Sequence, residues 1–259
     1  MRRATALLAL VLGGASVGLG AGSVAAGPVP VVERSFVVAL DPGHGGSNSG
    51  CAAVDGNVHE KDVTLALARE LQAELQRRLP HATVVLTRSG DETVTLAERV
   101  ARANATRADL LISLHANASS TGPQTGFETY ILDARLAEHD AARTARAGET
   151  PTGDPTRAHA AAMLRELELL GHRARAASFA RRVQQEQAER FPARIDRGVK
   201  QGSFDVLLGA HMPAVLFEAG FLDHPDEAPR LLEARSRALV VDGLAEAVVD
   251  YYRDHARER

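Results

Sequence analysis

The sequence predicts an α/β fold in three layers, with a mixed, mostly parallel central sheet flanked by helices on both faces. Short apolar runs of strand length alternate along the chain with longer segments of helical periodicity, which is typical of this class. Several of these runs are followed by histidine or glutamate, as expected where the carboxyl ends of strands form a ligand crevice. Hydrophobic residues make up 45% of the 259-residue chain, which is ample for one core.

The first half of the chain predicts two strands and two helices. Residues 36–40 are the first strand, and apolar residues then recur at helical spacing over residues 60–79, until a proline stops this helix. The second strand covers residues 84–87. Thr95 and Glu98 form a capping-box pattern that begins the next helix. We expect its inward-facing residues to be Leu96, Val100 and Ala103.

The second half of the chain predicts three further strands. They lie at residues 110–114, at residues 126–132 and, as the central strand, at residues 215–217. A helix is expected at residues 179–190, and closing helices rich in Ala, Leu and Val continue to Tyr252. The alternation of strands and helices is interrupted once, after the strand at residues 126–132.

Residues 133–177 form this interruption and are predicted to be an insertion. A polar, turn-rich stretch precedes a helical pattern at residues 157–170 that carries several leucines. Loops of this length inside a compact domain are usually functional or disordered. Two interpretations stay open: a regulatory segment beside the ligand crevice, or an amphipathic helix on the domain edge whose Leu164, Leu167 and Leu170 join the core.

Residues 1–26 have the three parts of a secretory signal peptide. Arg2 and Arg3 supply the positive start, residues 4–19 a small and apolar core, and residues 23–26 a small-residue cleavage region. A membrane anchor is the alternative, but the run is rich in Gly and Ala and no stop-transfer pattern follows. We therefore expect cleavage, and a mature chain that is periplasmic or secreted.

Charge and cysteine content narrow the classes of partner and of fold. The formal net charge is -3 and no basic tract is visible, so the sequence predicts no nucleic-acid partner and no anionic membrane surface. Cys51 is the only cysteine, so no disulfide can form within the chain, and stability must come from packing or from a metal.

Four polar residues stand where a metal site is expected. His44 lies in the sequence Asp-Pro-Gly-His-Gly-Gly after the first strand, and Glu60 begins the following helix. His115 and Glu218 each come directly after an apolar run, and residues that leave separate strands converge at one edge of an open α/β sheet. Two imidazoles and one carboxylate leave zinc a fourth position for water, with Glu218 free for proton transfer. The sequence therefore predicts a zinc hydrolase.

Four motifs follow one another along the chain, at residues 41–46, 60–62, 113–118 and 213–221. Together they resemble the motifs of the zinc-dependent N-acetylmuramoyl-L-alanine amidases, the cell-wall hydrolases with the type 3 catalytic domain. The resemblance covers residues 35–253, which implies one catalytic domain after the signal peptide. It also implies a three-layer fold similar to that of zinc exopeptidases and phosphorylases.

The resemblance implies a site and a reaction. Zn²⁺ would be bound by His44, Glu60 and His115. Peptidoglycan would be hydrolysed at the amide bond between N-acetylmuramic acid and L-alanine. Glu218 would act as general base toward the zinc-activated water and then as general acid toward the departing amine.

The insertion at residues 133–177 resembles, in place and length, a segment of the family members that act in cell division. In those amidases a helical insertion covers the zinc site until an activator protein displaces it. The resemblance therefore implies an activator protein as a partner of this chain. The carboxylates expected to reach the metal from the insertion are Glu138, Glu166 and Glu168.

Several alternatives stay open. His59 is the rival ligand, although it falls outside the family motif, and Cys51 is expected to be a small loop residue because the family pattern gives the metal no cysteine. Arg88 and Asp91 are expected to form a structural ion pair. The competing functions are a zinc carboxypeptidase or aminopeptidase, which the motifs disfavour, and a non-catalytic wall-binding module, which the complete set of site residues disfavours.

Overall fold

A six-stranded sheet forms the centre of the molecule. The computed structural model describes residues 35–119, 121, 123–136 and 155–257, so the predicted signal peptide lies outside the described residues. The strands are Val37–Pro42 (β1), Thr83–Leu86 (β2), Leu110–Asn117 (β3), Phe127–Leu132 (β4), Asp196–Gly202 (β5) and Ala214–Phe221 (β6). Their order across the sheet is β2-β1-β3-β6-β4-β5.

The strand directions agree with the predicted fold class. β1 pairs in parallel with β2 and β3, and β3 pairs in parallel with β6. β4 runs antiparallel to β6 and parallel to the edge strand β5. The prediction of a mixed, mostly parallel sheet is therefore confirmed, and the carboxyl ends of β1, β3 and β6 lie along one edge of it.

Helices cover both faces of the sheet. In the described ranges they are Glu60–Arg78 (α1), Leu96–Ala105 (α2), Pro155–Arg190 (α3), Ala228–Leu232 (α4) and Ala234–Arg257 (α5). One face, with Leu40 and Phe217, packs against α1, α3 and α5. The other face, with Ala39 and Leu216, packs against α2 and the loop at residues 204–212, a thinner layer because α2 has only 10 residues. None of these helices is long and apolar enough to cross a membrane.

The start of α2 has the predicted capping box. The backbone N–H of Glu98 donates to Thr95 Oγ1 at 3.2 Å, and the backbone N–H of Thr95 donates to Glu98 Oε2 at 2.8 Å. Val100 and Ala103 are buried as expected, but Leu96 is 50% exposed, so the inward prediction for Leu96 is wrong. Leu96 is the first residue of α2 and lines the pocket described below, which helical spacing alone does not reveal.

The edge strand β5 is not predicted by the sequence pattern. Its residues, Asp-Arg-Gly-Val-Lys-Gln-Gly, include two glycines and three charged side chains and do not alternate between polar and apolar. An edge strand with little buried surface needs no such alternation, because one neighbour supplies its hydrogen bonds. The strand nevertheless brings Arg197 and Lys200 to the functional site.

α3 is one continuous helix of 36 residues, whereas the sequence pattern predicts separate helices at residues 157–170 and 179–190. Phe179 in its second half is fully buried. In its first half, the interpretation that three leucines join the core is wrong, because Leu164, Leu167 and Leu170 are 61%, 62% and 48% exposed. A helix of this length spans about 54 Å and an eight-residue strand only about 27 Å, so the sheet cannot cover all of α3.

Two substitutions test this division of α3. Phe179→Ala removes a fully buried aromatic side chain and should lower the free energy of unfolding by about 3–5 kcal/mol. Leu167→Ala removes a side chain that is mostly in water and should change the free energy of unfolding by less than about 0.5 kcal/mol. Denaturant titrations measure both values. A large loss of stability in Leu167→Ala would show that this face is packed against protein.

Candidate metal centre

His44, Glu60 and His115 come together at the carboxyl edge of the sheet. His44 follows β1, Glu60 is the first residue of α1, and His115 lies near the end of β3. The Glu60 carboxylate lies between the two rings, with Oε2 3.0 Å from Nε2 of His44 and Oε1 2.9 Å from Nδ1 of His115. One donor atom from each residue lies within 4.8 Å of the others, which suits a single metal ion.

The loop after β1 has a shape that requires glycine. A methyl group on Gly43 would overlap the His115 ring, and one on Gly50 would overlap Glu60 and the His44 ring. His44 itself has a φ of 60°, in the left-handed region that costs a non-glycine residue about 1–3 kcal/mol. The close approach of the backbone to both rings therefore holds the donors near one another.

Two buried arginines support the backbone of this loop. Arg99 donates to the carbonyl oxygens of Pro42 and His44, and Arg88 donates to those of Pro42 and Gly43. These bonds give the loop carbonyls side-chain donors, in addition to Thr64, whose hydroxyl donates to the carbonyl of Gly43 at 2.8 Å. These hydrogen bonds offset the strain of the left-handed conformation at His44.

Asp41 connects three elements beneath the loop. Its carboxylate accepts hydrogen bonds from Arg99 of α2 at 2.8 Å, from Ser113 of β3 at 2.7 Å, and from Thr87 after β2. Asp41 and Arg99 are both almost fully buried, so each supplies the partner that the other needs. The metal loop is thereby tied to α2 and to the sheet.

The predicted ion pair between Arg88 and Asp91 is wrong. Arg88 donates to backbone carbonyls of the loop, and Asp91 pairs instead with Lys61, at 2.8 Å between Oδ2 and Nζ. Sequence proximity favours an ion pair between Arg88 and Asp91. Arg88 instead donates to buried backbone carbonyls after β1, because buried carbonyls require hydrogen-bond donors. Arg88 therefore belongs to the support of the metal loop.

Glu60 stays ionised in this cluster. Burial alone would raise the pKa of its carboxyl, but hydrogen bonds with His115 and His44 outweigh burial and hold the pKa well below its usual range. For His44, burial lowers the pKa of the ring, and the hydrogen bond with Glu60 more than reverses this, so the pKa is raised. The cluster therefore offers one anionic carboxylate to a cation.

Glu218 lies beside the cluster because of the register of β6. It is opposite His115 of β3 and opposite Glu128 of β4, and residues directly opposite one another in a sheet share a face. Because β6 continues to Phe221, Glu218 lies inside the strand and not at its exit. Its Oε2 is buried and has no hydrogen-bond partner in the described part of the chain. Burial, and then repulsion from Glu60 and Glu128, raises the pKa of Glu218 well above its usual value.

Glu128 is a site residue that sequence reasoning misses. Its carboxylate accepts hydrogen bonds from Asn117 and Tyr130, both at 2.8 Å, from Arg197 at 2.7 Å, and from Lys200. Burial would raise the pKa of Glu128, but the hydrogen bonds from Lys200 and Arg197 lower it. The one available signal is a carboxylate inside a predicted strand. Its two cationic partners lie on β5, which the pattern does not predict.

A pocket of about 330 Å³ opens beside the cluster. Its polar lining includes His44, Glu60, His115 and Glu218. Its apolar lining includes Leu96, Phe204, Val206 and Leu216. The donors, the spare carboxylate and space for a ligand therefore occur together.

No described residue of the insertion at residues 133–177 is part of this lining. Glu166 and Glu168 are exposed on the first half of α3, and the structure does not bring them to the three donors. Glu138 and most of the turn-rich stretch lie outside the described residues. The prediction that carboxylates of the insertion reach the metal therefore fails for Glu166 and Glu168.

Neither His59 nor Cys51 joins the donors in the part of the chain that the structure describes. His59 caps the start of α1. Cys51 Sγ donates to the carbonyl oxygen of Ala116 at 3.3 Å, and burial raises the pKa of its thiol far above the usual value. A protonated thiol is a poor metal ligand, which agrees with the expectation that Cys51 is a loop residue.

The donor set fits a borderline divalent cation such as zinc. Two imidazole nitrogens and one carboxylate oxygen are typical of catalytic zinc sites, which keep a fourth position open. The three donors lie within 4.8 Å of one another, and Gly43 and Gly50 let the backbone approach them where a Cβ would overlap their side chains.

Residues 38–250 match the sequence profile of a family described as N-acetylmuramoyl-L-alanine amidase. The chain belongs to this family. It is 30% identical to the amidase LytC of Bacillus subtilis over 224 residues, which are 86% of this chain and 36% of LytC. It is also 30% identical to the amidase AmiC of Escherichia coli over 234 residues, which are 86% of this chain and 54% of AmiC.

A solved amidase structure has the same fold. The N-acetylmuramoyl-L-alanine amidase of Clostridium difficile 630 superimposes with a TM-score of 0.65 at 27% identity, covering 85% of this chain and 97% of that one. The chain thus matches nearly all of this solved amidase, but only about a third of LytC and about half of AmiC. The match extends across the residues that form the sheet, the metal loop and the pocket.

The proposed zinc ligands are tested by two histidine substitutions. His115→Ala removes one of three donors and should lower the zinc content of the purified protein from about one ion per chain to near zero. His59→Ala changes the rival histidine and should leave the zinc content unchanged. Metal analysis after dialysis measures both, with circular dichroism as a check on folding. Full zinc content in a folded His115→Ala protein would contradict the assignment.

Proposed function

We propose that this member of the amidase family hydrolyses the amide bond between N-acetylmuramic acid and L-alanine in peptidoglycan, with one zinc ion held by His44, Glu60 and His115. The observation that carries the proposal is Glu218, a buried carboxylate beside three converging donors, one of whose oxygens has no partner among the described residues. Burial of a carboxylate without a partner destabilises the folded protein. A purely structural role does not explain why this cost is retained. Metal-assisted hydrolysis, in contrast, needs a group that moves a proton.

When bound, zinc supplies a Lewis acid that polarises the amide carbonyl and lowers the pKa of a water molecule to about 7. A side chain of the protein then transfers the proton. The Glu218 carboxylate accepts it from the attacking water and donates it to the amide nitrogen as the C–N bond breaks. The products are a free lactyl carboxylate and the free amino group of L-alanine.

The surroundings of Glu218 favour proton transfer in both directions. Burial and the neighbouring anions Glu60 and Glu128 favour the protonated acid. A divalent cation held by the three donors favours the carboxylate, because opposite charge lowers a carboxyl pKa. Opposed effects of this kind bring the pKa of a catalytic carboxyl toward the working pH, where it serves first as base and then as acid.

We also propose that the chain acts in the periplasm or outside the cell, after removal of residues 1–26. Peptidoglycan lies outside the cytoplasmic membrane, and both relatives, LytC and AmiC, are named N-acetylmuramoyl-L-alanine amidases. The mass of the exported protein shows whether residues 1–26 have been removed. A chain that begins near residue 27 is expected, and an exported chain that still carries Met1 would contradict cleavage.

We propose that residues 133–177 regulate the site together with an activator protein. CwlD of Clostridioides difficile, which has the same fold at 19% identity and a TM-score of 0.65, has been solved in complex with the GerS lipoprotein. In this chain Leu164, Leu167 and Leu170 form an exposed apolar face on α3, of the kind that protein partners cover. Residues 137–154 of this segment lie outside the described residues.

The role of Glu218 is tested by Glu218→Gln, which keeps the shape of the side chain but cannot accept a proton. The variant should retain zinc and lose hydrolysis by about 10²–10⁴-fold. Glu189→Gln, on the exposed face of α3, is the matched control and should keep full activity. The rate of stem-peptide release from purified peptidoglycan measures the effect. Near-normal turnover by folded, zinc-loaded Glu218→Gln would exclude the proposed role.

The regulatory proposal is tested by replacing residues 137–154 with a Gly-Ser linker of equal length. If this segment restricts access, the variant should hydrolyse purified wall about tenfold faster than the wild type without an activator, because a closed state favoured by about tenfold would be lost. Leu239→Ser, at an exposed leucine outside residues 133–177, is the control and should leave the basal rate unchanged. A folded, zinc-loaded linker variant that is no faster than the wild type would show that the segment is not autoinhibitory.

A further inference from the structure

The pocket beside the metal centre has an apolar wall that the proposed proton chemistry does not use. The wall consists of Leu96, Phe204, Val206 and Leu216. Val206 and Leu216 are buried, and Phe204 packs edge-on against Tyr130 with 4.8 Å between the ring centroids. Three of the four wall residues are thus packed against the protein, and all four line the same pocket as the three metal donors.

Leu96 differs from the rest of the wall because half of its surface is in water. Eight large hydrophobic side chains are exposed in the described ranges, and of these only Leu96 lines the pocket. An apolar side chain that stays in water gains little from the hydrophobic effect on folding. The same side chain beside a reactive centre can bury the apolar atoms of a ligand.

Leu96 is held in place by the helix turn that also supports the metal loop. Thr95 and Glu98 form the capping box around it. Arg99, in the same turn, donates to the backbone carbonyl of His44. The backbone that carries Leu96 is therefore tied to the loop that carries His44, and selection of one substrate over another requires such fixed positions.

The proposed substrate has apolar groups next to the scissile bond that match this apolar wall. The scissile amide of a muramoyl-L-alanine linkage has a methyl group on each side: one on the lactyl carbon next to the carbonyl, and one on the alanine carbon next to the nitrogen. An amide held at the metal centre brings both methyl groups into the same pocket. An apolar wall there favours a linkage that carries these methyl groups over one that lacks them.

We propose that Leu96 is a specificity-determining residue that packs against one of these two methyl groups, with Phe204 completing the same apolar subsite. The inference rests on the proposed amidase activity and adds the residue that distinguishes a methyl-bearing linkage from one without the methyl group. Apolar pockets discriminate one methyl or methylene group by about 10–200-fold. Because Leu96 is half exposed, we expect the low end of this range, about tenfold.

A cycle of variants and substrates tests the inference on the zinc-loaded full chain. Three soluble muropeptides are compared: the natural lactyl-L-alanine linkage, the same compound with glycine in place of L-alanine, and one with a carboxymethyl ether in place of the lactyl ether. The wild type should prefer the natural linkage to one of the other two by about tenfold in kcat/KM. Leu96→Ala should reduce this preference to about twofold or less, because the contact with the methyl group is lost.

Two controls separate the contact from general damage. Leu96→Met keeps the apolar volume and should retain the preference. Leu239→Ala removes an exposed leucine that does not line the pocket and should change neither the rates nor the preference. Zinc content is measured for every variant, so that a loss of metal is not mistaken for a loss of selectivity.

Each outcome of the cycle decides the inference. A lost preference for one substrate pair supports it and identifies which methyl group Leu96 contacts. An equal preference among substrates in the wild type, an unchanged preference in Leu96→Ala, or an equal loss of kcat/KM on all three substrates would overturn it. No hydrolysis of any muropeptide by the zinc-loaded wild type would count against the proposed activity itself, so the two failures are distinguishable.

Discussion

The register of β6 between β3 and β4 is the constraint on which the candidate site depends. It places Glu218 opposite His115 on one side and opposite Glu128 on the other, on the face that α2 covers. The apolar residues of β6 hold this register, because a slip of one residue would turn Glu218 into the core beneath α1, α3 and α5 and bring Phe217 out of it. Core packing thus decides where the carboxylate points.

Buried charges around the site fall into two groups that differ in their partners. Asp41 is paired with Arg99, and Glu128 is held by the two basic residues of β5 and by two neutral donors. Glu218 is buried among them, yet one of its oxygens has no partner in the described part of the chain. Burial without a partner is unfavourable, and within the described ranges Glu218, which the proposed reaction uses, is the one carboxylate in this state.

Local sequence predicts most elements of the fold but not all of them. β1, β3 and β6 are apolar runs, and α1 and α2 repeat with helical spacing, so each is found within a few residues of its predicted place. β5 is a polar edge strand that is recognisable only by its hydrogen bonds to β4. α3 continues through residues 171–178, and its exposed leucines show that an apolar helical stripe need not face the core when the sheet is too short to cover it.

Sequence alone accounts for the chemistry that can occur here: a glycine-rich loop with His44, a helix that begins with Glu60, and apolar strands that carry His115 and Glu218. These are local patterns, and each can be recognised from the residues next to it. Tertiary structure alone accounts for three other features: the place of Glu128 beside Glu218, the support of the metal loop by Arg88, and the position of Leu96 in the pocket. Those features depend on strand order and register. Both bring together residues that are far apart in the chain, so the sequence next to each residue does not reveal the contact.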